Sequence, residues 1–164
     1  MRLLLRVQDG LLTVLALIGA LAIVTLMLHV VADVVLRNTV NSPIPATYEI
    51  VTHYYMIAAA FIPLAWVERG GGMVQVEVID SFLGPRGLYW SDRTVDVIST
   101  VIYGALAWVT WLTALRNFDT GTFVLAQTLR VPTWPAYFLV PLGFGLATLT
   151  TAIRIFVPKQ ELRK

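Results

Sequence analysis

The chain contains no cysteine. Disulfide frameworks, thiolate metal sites, covalent haem attachment and cysteine nucleophiles are therefore excluded. Charge is also scarce. Only 13% of the 164 residues are Asp, Glu, Lys or Arg, about half of what a soluble domain carries. Net charge is +2, from 12 basic and 10 acidic residues, so no basic field points to nucleic acid. There are two histidines, and no Ser-His-Asp order, ligand cluster or paired catalytic carboxylates can be assembled around them. No enzymatic activity and no cofactor are expected.

What is present is hydrocarbon. Hydrophobic residues make up 57% of the chain and the mean hydropathy is +0.75. A span needs roughly 20 mostly apolar residues to cross a core about 30 Å thick. Four stretches qualify: 11–36, 46–66, 97–115 and 136–156. None alternates with period two, so a barrel is excluded. The fold expected is an all-α integral membrane protein, one domain of four helices over residues 1–164. Arg2 and Arg6 precede the first run as in a signal peptide. That run reaches Asp33 before its first charge, too long for a signal core of about 7–15 residues, so a retained helix is expected.

Orientation follows from the basic residues near span ends. One side collects Arg2, Arg6, Arg69, Arg86, Arg93, Arg154, Lys159, Arg163 and Lys164, nine in all, against Arg37, Arg116 and Arg130, three in all. Both termini are therefore expected in the cytoplasm. Trp108, Trp111 and Trp134 then fall near the outer headgroup layer.

The outer loops, 37–46 and 116–134, are short. The inner loop, 67–96, opens with three glycines at 70–72, without the Lys of a phosphate cradle, and reads as a flexible turn. Residues 74–83 follow, with Val76, Ile79 and Leu83 on one helical face. A short interfacial helix is expected there, ended by Gly84 and Pro85. Alternation of Val74, Val76 and Val78 also fits a strand, but a lone strand has no partner.

Polar residues inside spans are costly and mark either sites or structural pairs. His29, Asp33 and Arg37 form an i, i+4, i+8 stripe at the end of the first span, and Glu49 and His53 form an i, i+4 pair opening the second. The functional reading is an ion or proton site. The structural reading, favoured here, is a cluster that pins the first hairpin, with Asp33 and Arg37 pairing with Glu49 or His53. His29 and His53 at matched depth also allow a bis-histidine haem b site. A small autonomous exporter is a third alternative. It is disfavoured by the lack of ionisable residues at mid-span and by the expectation that no span is broken, Pro141 being the one candidate break. Asp92, Arg93 and Asp96 read as the polar start of the third span.

The order of these features is familiar. The stretch Asp33-Val34-Val35-Leu36-Arg37-Asn38, then Pro43-Ile44-Pro45, then Glu49, then residues 70–78, resembles the DctQ-like small membrane subunit of TRAP (tripartite ATP-independent periplasmic) transporters. Trp134, Tyr137, Pro141, Gly143 and Phe144 resemble the family's fourth span. Met73 or Val74 stands where the family usually has His, a departure from its pattern. The resemblance covers nearly the whole chain. It implies a multi-pass protein of the bacterial inner membrane, in a heterodimer with a large membrane subunit that holds the Na⁺ and substrate sites. It further implies a periplasmic substrate-binding protein that delivers an organic acid for symport. The small subunit's implied role is a non-catalytic scaffold within this secondary transporter.

Overall fold

The computed structural model describes residues 2–70, 84–126 and 129–156. Helix α1 spans Arg2–Thr39. The second span is a chain of shorter pieces: α2, Thr47–Ile50; one π-turn, Val51–Tyr55; α3, Met56–Phe61; and α4, Leu64–Arg69. Helix α5 runs Pro85–Asp119. Strands β1 (Phe123–Ala126) and β2 (Leu129–Pro132) form an antiparallel hairpin. Helices α6 (Trp134–Tyr137) and α7 (Leu139–Phe156) complete the chain's described part. Among the described residues, four helical segments are long and apolar enough to cross a membrane: Gln8–Thr39, Thr47–Arg69, Gly87–Asp119 and Trp134–Phe156.

The expected interfacial helix at 74–83 lies outside the described residues. Gly84 and Pro85 open the third span. Gly84 is extended and Pro85 takes the first position of α5, where a missing N–H costs nothing and the fixed φ suits a helix. The third span thus begins some three turns before the first residue of its apolar run.

The expectation that no span is broken is incorrect. Pro63, with no N–H to donate, interrupts the second span between Phe61 and Leu64. The break is seated in its neighbours. A Cβ at Gly19 of α1 would stand 3.0 Å from Pro63 Cδ, and one at Gly143 of α7 would overlap the Phe61 carbonyl oxygen. Two glycines therefore let α1 and α7 close on the kink, the use small residues have in membrane interfaces.

The interior is unlike that of a soluble domain. Among the described residues, its buried apolar side chains are Leu12, Pro141 and five alanines: Ala65, Ala114, Ala126, Ala136 and Ala147. Buried beside them are Gln8, Asp33, Glu68, Asp96, Thr133, Thr150 and Thr151. Large apolar side chains such as Leu17, Leu21, Val101 and Trp108 face outward. Where the solvent is hydrocarbon, burying Leu gains little, and small residues and polar bonds hold helices together. Helix α7 is the most enclosed span, packed along α5 and against α4.

Candidate functional site

Polar side chains gather at the two ends of the bundle. At the end carrying the termini, residues from all four spans meet. Arg154 of α7 is the hub. Its Nε donates to Asp96 Oδ1 of α5 at 2.7 Å, its Nη2 to Glu68 Oε1 of α4 at 2.9 Å, and its Nη1 to the Glu68 carbonyl at 3.1 Å. Tyr103 Oη of α5 donates to the other Glu68 oxygen at 3.0 Å. Arg93 Nη1 donates to the Arg154 carbonyl at 3.3 Å, with its guanidinium 5.2 Å from the Tyr89 ring centre.

Further contacts extend this knot to α1. Thr100 Oγ1 donates to Thr151 Oγ1 at 2.9 Å, and Gln8 Nε2 of α1 to Thr150 Oγ1 at 3.2 Å. Asp9 pairs with Arg69. The side chains of Arg154, Glu68 and Asp96 are only 12%, 7% and 5% exposed. Buried charges need a partner and satisfied hydrogen bonds; here each carboxylate has both, and the one guanidinium serves three acceptors. Arg154, Glu68 and Asp96 thus form a structural lock, beside which Gln8 Oε1 and Arg69 Nη1 are buried without a hydrogen-bond partner among the described residues.

At the other end lie the residues singled out in the sequence. Arg37 Nη2 donates to Asp33 Oδ2 at 3.0 Å, within α1. The second Asp33 oxygen accepts the Ile44 N–H at 2.7 Å and so fastens the α1–α2 loop. That loop needs fastening, because Asn41 and Ala46 both sit at positive φ, 55° and 61°. His29 lies edge-on to Tyr55, with Nδ1 3.4 Å from Tyr55 Oη and Nε2 3.5 Å from Thr47 Oγ1. The π-turn accommodates an extra residue in the segment that supplies Tyr54 to the hairpin, where it donates to the Pro132 carbonyl, and Tyr55 to α1. Glu49 and His53 are half-buried, and neither makes a hydrogen bond or ion pair among the described residues. Arg37's partner is Asp33, not a group on the second span. Arg37 and Glu49 do share the wall of one cavity of about 240 Å³, with residues 43–48 and Ala126.

Sequence reasoning did not single out Glu68 or Tyr103, and treated Asp96 and Arg154 as ordinary polar ends. The available signal was one acid and one base, each near the same end of a different apolar run. Among the described residues, no group of three or more metal-ligating side chains occurs.

Four membrane-length helices, small at their contacts and locked by ion pairs at one end, define a multi-pass membrane protein. Residues 26–158 match the family model of the tripartite ATP-independent periplasmic transporters' DctQ component. The match covers most of the chain, and the protein belongs to that family. Searches of curated proteins and of solved structures found no match.

Proposed function

We propose that this protein is the non-catalytic scaffold of a TRAP transporter, holding a large membrane subunit that carries out Na⁺-coupled, binding-protein-dependent uptake of an organic acid. The observation that carries this reading is the Glu68–Arg154–Asp96 lock. The buried carboxylates of Glu68 and Asp96 are both spent on Arg154, which suits a rigid support and leaves them unavailable to a moving ion. Among the described residues, the break at Pro63 bears the clearest resemblance to a carrier's discontinuous helix. Its Phe61 carbonyl is packed against Gly143, so it supports helix packing better than ion coordination.

The protein sits in the bacterial inner membrane as one four-helix domain, with both termini in the cytoplasm. Nine of its 12 basic residues support that orientation. His29, Asp33 and Arg37 then brace the periplasmic hairpin. The test is co-expression with a candidate large membrane subunit from the same genome, with a tag on one chain only. Recovery of both chains in a fixed ratio is expected. Recovery of the tagged chain alone would refute the reading.

A further inference from the structure

Asp33, Arg37 and Glu49 stand together at the hairpin end of the bundle: two carboxylates and one guanidinium, a net −1. Arg37 is already committed to Asp33 at 3.0 Å. Asp33 has a second donor in the Ile44 amide. Glu49 has no bonded partner among the described residues, although it lines the cavity of about 240 Å³ that Arg37 also lines. Every other span carboxylate among the described residues has a bond or electrostatic partner, except Asp119, which is exposed at the last residue of α5.

A carboxylate inside a span is expensive unless paired or hydrated. Glu49 is half-buried at the first turn of its span. One and two turns further on, His53 is likewise unbonded and Met56 is exposed to 56%. The local excess of negative charge and this open face are complementary to one kind of occupant, a membrane helix bearing a cationic side chain near its outer end.

We infer that Glu49 receives a Lys or Arg side chain of the large membrane subunit, and that the face through His53 and Met56 is where the two subunits' helices meet at that end. The inference rests on the proposed scaffold function and adds the surface through which it acts.

The test uses the co-expressed pair. A photocrosslinking residue replaces His53, or, as the control on α5, Val101, which is 66% exposed. In parallel, Glu49→Gln and Glu49→Lys are compared with wild type for recovery of the large subunit. The expected result is crosslinking to the large subunit from position 53 but not 101. Glu49→Lys should lower recovery at least about tenfold, as loss of a buried interfacial charge pair does, with Glu49→Gln between it and wild type. Unchanged recovery with Glu49→Lys, or crosslinks from 101 alone, would overturn the inference while leaving the scaffold reading intact. Crosslinks from 53 to lipid alone would overturn it in favour of a headgroup in the cavity. Failure of the wild-type chains to co-purify would refute the scaffold reading, and this inference with it. Elution of each variant as a monodisperse species when expressed alone separates a lost contact from a lost fold.

Discussion

Arg154 grips Glu68 twice, through Oε1 at 2.9 Å and through the backbone carbonyl of the same residue at 3.1 Å, and so ties the end of α7 to the end of α4. The backbone bond fixes where α4 stops, and the side-chain bond balances its last buried charge. Asp96 on the third donor group extends the tie to α5. One planar guanidinium thereby joins three of the four spans, a task that the point charge of a lysine cannot perform.

Arg154→Leu should therefore destabilise the bundle by about 3–5 kcal/mol, because it strands two buried carboxylates. Arg154→Lys should fall between wild type and Arg154→Leu. Adding Glu68→Gln to Arg154→Leu should cost less than the two single changes predict by addition, since the remaining carboxylate burden is smaller. Unfolding midpoints in detergent measure all three. Additivity would mean that the two side chains do not interact.

The glycine at the kink gives a second expectation. Gly143→Ala would force a methyl onto the Phe61 carbonyl, and overpacking of this kind costs about 1–3 kcal/mol. Gly145→Ala, two residues on, has nothing within 4 Å of the added carbon and should be near neutral. The same unfolding assay compares the two. Equal effects would mean that α7 does not close on the break.

Asp33 provides a third. Asp33→Ala removes the acceptor of the Ile44 amide and the partner of Arg37 together. Loss of a buried acceptor costs about 1–3 kcal/mol. Asp33→Asn keeps an oxygen for the amide and should lose less. If the two variants were equally unstable, the charge and not the loop bond would be the contribution that matters.

Much of this fold was legible in the sequence. Runs of some 20 apolar residues have few solutions other than a membrane helix, so four spans followed from length and composition alone. Pro63 was legible too, yet its residue type alone did not distinguish a kink from a tolerated proline; Gly19 and Gly143, far off in sequence, make the kink possible. The Asp33–Arg37 pair follows from i, i+4 spacing. The Glu68–Arg154–Asp96 lock joins residues up to 86 positions apart, and no local period records such a meeting. The β1–β2 hairpin was hidden for a different reason: its two strands of four residues lie in what composition marks only as a loop.

Orientation is directly measurable. Reporter fusions at residue 164 and within 70–72 should both report cytoplasm, given the nine basic residues on that side. A periplasmic signal at either place would contradict four spans with cytoplasmic termini.

Under the proposed scaffold function, this chain supports transport without performing it. The measurement is uptake of a candidate organic acid into proteoliposomes under an inward Na⁺ gradient. The vesicles contain this protein, the large subunit, or both, with the binding protein outside. Uptake is expected only when both membrane chains are present. Uptake by this protein alone, or full uptake by the large subunit without it, would contradict the scaffold function.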